Sequence, residues 1–147
     1  DEPFVVTRGK TAYIANPFFR SYASDGYGVY KQMVAALIRR LLPKPVLTAR
    51  NLPSTAQATV MEQDGSGGKR LIVHLLYYPI TRRAPNLDIV EEAGLLKDVS
   101  LKLRTPAKPR RVHLAPSGAD LPVRYENGYA AFTVPFVEGH QAVVIEA

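Results

Sequence analysis

Nine residues, Arg70 to Tyr78, constrain this chain more than any other stretch. The run RLIVHLLYY is its longest series of strand-forming residues. Side chains alternate along an extended backbone, so Leu71, Val73, Leu75 and Tyr77 face one way and Ile72, His74, Leu76 and Tyr78 the other. Both sets are mostly apolar, which predicts a strand covered on both faces at the centre of a β-domain. One helix precedes it, and strands and turns follow it to the C-terminus.

Ahead of that strand, Phe4 to Arg8 and Thr11 to Asn16 read as a hairpin around Gly9-Lys10, stopped at Asn16-Pro17. Phe18 to Tyr22 reads as an aromatic connection. Ser24 or Asp25 can cap a helix from about Tyr27 to Leu42. Tyr30, Val34, Leu37, Ile38, Leu41 and Leu42 share one face of it. Arg39 and Arg40 suit its negative C-terminal end, and Pro43 and Pro45 stop it. Pro43-Lys44-Pro45 is the candidate domain boundary, because the hydrophobic period changes there to two.

Val46 to Arg50 and Ala56 to Gln63 are the next expected strands. Asp64 to Gly68 is a flexible turn into the central strand. Pro79 to Leu96 reads as irregular, with Arg82-Arg83 and Pro85-Asn86 in an exposed loop and Asp88 to Glu92 as a short edge strand. Val99, Leu101 and Leu103 should point inward, with Ser100, Lys102 and Arg104 outward. Arg111 to Leu114 follows as a strand. Asn127-Gly128 is the preferred pair for a type I′ turn. Folding the chain there sets Tyr125 opposite Ala130, Val123 opposite Phe132 and Leu121 opposite Val134. Ala142 to Ile145 is the last strand.

Composition narrows the chemistry. At 147 residues and 46% hydrophobic content, the chain can bury a core of one domain or one and a half. No apolar run approaches the ~20 residues that cross a bilayer. The opening Asp1-Glu2-Pro3-Phe4 has neither an initiator Met nor a signal layout, so a processed chain or a piece of a longer one is expected. Without Cys there is no disulfide, thiolate metal site or Cys nucleophile. That fits a reducing compartment, although bacterial cytoplasm and periplasm are both compatible. The net charge of +6 looks N-terminal: residues 1–50 hold eight Lys/Arg against three Asp/Glu, and the rest eleven against ten.

No catalytic signature stands out. His74 reads more simply as a core His held by a hydrogen bond than as a base or ligand. His113 and His140 are isolated in sequence, and no HExxH or HxH spacing supports zinc. Glu91-Glu92 are adjacent and would point opposite ways if extended, unlike the facing carboxylates of a glycosidase. Gly65 to Gly68 is a turn without the helix of a phosphate loop. Tyr77, Tyr78, Arg82 and Arg83 are the candidate binding residues, a stacking and hydrogen-bonding rim for a sugar or a nucleic acid. The plainer reading of the tyrosines is one buried ring and one rim ring.

The order of segments resembles the C-terminal region of certain multidomain glycoside hydrolases related to the β-galactosidase trimerisation domain. The residues that carry it are NPFFRSY and DGYGVYKQMVAALIRRLLP (16–22 and 25–43), then KRLIVHLLYYP, VSLKLRTP, VHLAPSG and VPFVEGHQAVVIE. The resemblance implies that residues 1–45 are the tail of a glutamine-amidotransferase-like α/β domain. Residues 46–147 would be the closing β-sandwich. It further implies that the catalytic carboxylates lie upstream, on a barrel of the same polypeptide, and that this chain holds none.

The expected fold is therefore mainly β: an antiparallel sandwich of seven or eight strands, preceded by a β-hairpin and one amphipathic α-helix. The expected role is a non-catalytic accessory module bracing the catalytic barrel or a subunit interface. Its expected partners are that upstream catalytic domain, a carbohydrate and a second copy of the chain. No cofactor, metal or membrane is expected. Two alternative roles are a carbohydrate-binding sandwich and, suggested by charge alone, a basic nucleic-acid-binding β-domain.

Overall fold

The computed structural model describes residues 4–65 and 68–146. Ser66 and Gly67, in the expected turn, and Asp1 to Pro3 lie outside the described residues. The contacts divide the chain into two compact units, Asp1–Pro45 and Val46–Ala147.

In the first unit β1 (Val5–Arg8) and β2 (Thr11–Ile14) form an antiparallel hairpin with Val5 opposite Ile14 and Arg8 opposite Thr11. Two helices follow, α1 (Phe18–Asp25) and α2 (Gly28–Leu41). The aromatic segment expected as a connection is thus the start of a helix. Pro17 is its N-cap and has no backbone N–H to leave unsatisfied. Gly26 closes it in the left-handed conformation, donating its N–H to the Tyr22 carbonyl at 2.9 Å. Asp25 and Ser24 therefore belong to α1 and do not cap α2, whose N-cap Tyr27 makes no side-chain bond. Phe18, 3% exposed, is the anchor of this unit. The rings of Tyr30 and Phe4 lie 4.8 and 6.0 Å from it. No residue of α2 is buried.

The second unit contains β3 (Leu47–Arg50), β4 (Gln57–Gly65), β5 (Gly68–Leu76), β6 (Thr81–Ala84), β7 (Leu87–Ile89), β8 (Leu95–Arg104), β9 (Arg111–Ala115), β10 (Arg124–Glu126), β11 (Tyr129–Glu138) and β12 (His140–Glu146). Eight of them make two four-stranded antiparallel sheets, in the orders β10-β11-β8-β3 and β4-β5-β12-β9. The chain is a mainly β protein, an antiparallel sandwich preceded by a hairpin and helices.

The core lies between the two sheets. Val73 and Leu75 of β5 and Val143 and Ile145 of β12 meet Val99, Leu101 and Leu103 of β8 and Phe132, Val134 and Val137 of β11. Burying each such side chain contributes about 1.5–3 kcal/mol before entropy is subtracted. β5 is an interior strand, between β4 and β12. Its second face differs from expectation: Ile72, His74 and Leu76 are only half-buried.

Two further differences concern register. Pro79 to Leu96 is not irregular throughout, because β6 and β7 pair as a small bulged hairpin that includes Arg82, Arg83 and Asp88. The Asn127-Gly128 hairpin pairs as read, with Arg124 opposite Ala131 and Tyr125 opposite Ala130, and φ is +53° and +80° at the two turn residues. The ladder stops at Arg124, however. Leu121 donates its N–H to the Val112 carbonyl at 2.8 Å, and β11 takes β8 as its other neighbour.

Candidate functional site

Tyr77 and Tyr78 follow directly on β5. The Tyr77 N–H donates to the Gly139 carbonyl at 2.6 Å, and its carbonyl accepts from Gly94 at 2.9 Å. Its ring lies on Gly94, where an added methyl would overlap it. The Tyr78 ring lies on Gly139, its hydroxyl 2.7 Å from where a Cβ would stand. Tyr77 is half-buried and Tyr78 is 45% exposed.

Arg82 bonds the Pro85 carbonyl at 2.7 Å and pairs with Asp88 across the β6–β7 hairpin. Arg83 pairs with Glu91. Both guanidinium groups are thus engaged by carboxylates of their own hairpin segment.

His74 is not in the core. It stands on the outward face of β5, and its Nδ1 lies 3.0 Å from Nε2 of His140 on β12. The rings stack at 5.3 Å and 11°. The pairings of His74 with Ala142 and of Val144 with His113 put all three histidines on one face of this sheet. Nδ1 of His113 is buried without a hydrogen-bond partner among the described residues.

A third feature lies on the other sheet. Val99, Leu101, Leu103, Ala130 and Phe132 point into the core, so their neighbours point away from it. Thr48, Lys102, Ala131 and Arg124 fall side by side in one cross-strand row, and Arg50, Ser100 and Thr133 in the next. These rows, with Pro122 and Val123 beside them, line a hollow of about 570 Å³. The hydroxyl oxygens of Ser100 and Thr133 lie 3.2 Å apart.

The charge in the hollow is unbalanced. Elsewhere in this unit Lys69, Arg110 and Arg111 pair with Glu62, Glu146 and Asp120 at 2.5–3.3 Å. The side chains of Arg50 and Lys102 make no hydrogen bond or ion pair with any described residue. Among the described residues the Arg124 side chain has only Glu126, at 3.8 Å and well exposed, a contact worth little in water. The carboxylates of these four strands, Asp98, Glu126 and Glu138, fall outside both rows.

Sequence reasoning missed this hollow, although its parts were visible. The alternation of β8 turns Ser100 and Lys102 outward, and the Asn127-Gly128 turn sets Arg124 beside Ala131. The missing link was the pairing of β8 with both β3 and β11, strands remote in sequence, for which a local pattern carries no signal.

Comparison with known proteins puts this fold in context. No protein-family model matches the chain, and no curated protein matches it. Among solved structures, a cycloisomaltooligosaccharide glucanotransferase from Paenibacillus sp., in complex with cycloisomaltoheptaose, aligns at 17% identity and a TM-score of 0.38 over 74% of this chain and 19% of that one. That likeness carries no argument. Alpha-L-fucosidase isoenzyme 2 from Paenibacillus thiaminolyticus aligns at 34% identity and a TM-score of 0.87, over 98% of this chain and 22% of that one. The fold is thus that of a region of a glycoside hydrolase, and the chain spans about a fifth of that enzyme's length.

Proposed function

We propose that the chain is a non-catalytic, C-terminal accessory module of a glycoside hydrolase, and that it braces the catalytic barrel or a subunit interface. One observation carries this reading. The helix α2 is amphipathic, yet none of its fourteen residues is buried. Val29 and Ile38 are 54% and 51% exposed, and the flanking Tyr27 and Leu42 are 62% and 63% exposed. A helix that presents an apolar stripe gains most of its stability by covering it. The first unit reads accordingly as the tail of an α/β, amidotransferase-like domain, whose helices pack on a sheet contributed by the rest of the polypeptide. The match to a fifth of a fucosidase supports the same reading.

The chain assayed by itself on aryl glycosides, fucosides included, is expected to give no turnover above buffer. Turnover that survives repurification and follows the chain on a sizing column overturns the proposal.

A second reading, sugar binding at the Tyr77–Tyr78 rim, is favoured by the exposure of Tyr78. The chain has no Trp, so its emission comes from eight tyrosines, two of them on that rim. A saturable change on adding neutral oligosaccharide, lost in Tyr78→Ala, would support it.

A further inference from the structure

From the hollow on the β10-β11-β8-β3 sheet we infer a binding site for an acidic oligosaccharide, one that carries carboxylate or sulfate groups. The ligand class follows from three properties of the two cross-strand rows. Arg50, Lys102 and Arg124 supply positive charge that no carboxylate of the rows neutralises. Thr48, Ser100 and Thr133 supply hydroxyl groups between those charges, each able to donate to and accept from a sugar hydroxyl. The spacing is set by the sheet: Lys102 and Arg124 are two strands apart, about 10 Å at the usual interstrand distance. An extended chain of sugar units can lie across the rows with its anionic groups over the cations and its hydroxyls over the threonines and serine. Arg50 and Arg124 each offer a planar fork that matches a carboxylate or sulfate edge.

The rival occupants fit less well. A single-stranded nucleic acid gains much of its affinity by stacking bases on aromatic rings, and these two rows hold none. A protein partner needs a desolvated, aromatic or aliphatic centre. Here Lys102, Ser100 and Thr133 interrupt the apolar lining of Ala131, Pro122 and Val123. The site is also separate from the Tyr77–Tyr78 rim.

The inference takes its carbohydrate class in part from the accessory-module reading, but its test does not depend on that reading. The full chain is titrated at low salt with oligogalacturonate, dextran sulfate, neutral dextran of matched length and oligothymidylate. Saturable binding of oligogalacturonate or dextran sulfate, with neutral dextran and oligothymidylate at least about tenfold weaker, supports the site; which of the two binds tells carboxylate from sulfate recognition. Arg50→Gln/Lys102→Gln should weaken that binding about tenfold or more. Lys69→Gln/Arg110→Gln removes the same charge from the other sheet and should change it less than about twofold. Thermal melts of both variants, expected to match the parent, keep folding out of the comparison. Should Arg50→Gln/Lys102→Gln not fold, Arg124→Gln alone is compared with Arg110→Gln. The inference is overturned by absence of binding, by equal binding of oligothymidylate, or by equal losses in the two double variants. The glycosidase assay decides the accessory-module reading separately, since the two measurements share no readout.

Discussion

Gly94 sits under the Tyr77 ring, and its Cα hydrogen is all that the approach permits. Gly94→Ala should cost about 1–3 kcal/mol through overpacking. Tyr77→Leu in the same chain should recover part of that loss, because the smaller side chain frees the space. Urea unfolding of the two single variants and the double variant measures the coupling between the sites. The Asn127-Gly128 turn makes a conformational demand instead. Gly128 holds φ at +80° with nothing within 4 Å of where a Cβ would stand, so Gly128→Ala strains the backbone without a clash. A loss of about 1 kcal/mol is expected, smaller than at Gly94. In the core, Leu101→Ala removes a 1%-exposed side chain and should cost about 2–5 kcal/mol in the same assay.

At the scale of elements, α2 separates two kinds of stability. Ile38→Asp places a charge on a position that is 51% exposed. It should shift unfolding of the chain alone by no more than about 0.5 kcal/mol. On the accessory-module proposal the stripe is covered in the parent polypeptide, and there the same substitution should lower the melting temperature by several degrees. Equal effects in both settings would leave α2 without a covering partner.

The elements also show what a sequence makes legible. The period-two runs around Arg70, Val99 and Asn127 name most sandwich strands and their inward faces, since alternation is a local property of an extended backbone. Helix α1 escaped because Phe18 to Asp25 is aromatic and polar without a clean helical stripe; its signals were Pro17 before it and Gly26 after it. His74 was misplaced to the interior because apolar neighbours on both sides imply a core strand, whereas only Val73 and Leu75 are fully covered. The cationic hollow needed strand order, which Arg50, Lys102 and Arg124 do not disclose from positions so far apart.

Across the whole molecule, charge is a matter of placement more than of total. The second unit holds twelve Lys/Arg against ten Asp/Glu, close to neutral. Even so, the Arg50 and Lys102 side chains on one sheet face meet no carboxylate among the described residues, while Lys69 and Arg111 of the other sheet pair with Glu62 and Asp120. Binding to that face should weaken steadily as salt is raised through physiological strength, where exposed charges are screened beyond about 8 Å. The strand order has a consequence for synthesis. β12, the last strand of the sandwich in the chain, lies inside its sheet between β5 and β9. As the ribosome delivers the chain, β5 must wait about 65 residues, exposed along one edge, for the neighbour that completes it. A chaperone that shields this waiting edge would act late, and a chain stopped after Gly139 should lose its cooperative melting transition altogether.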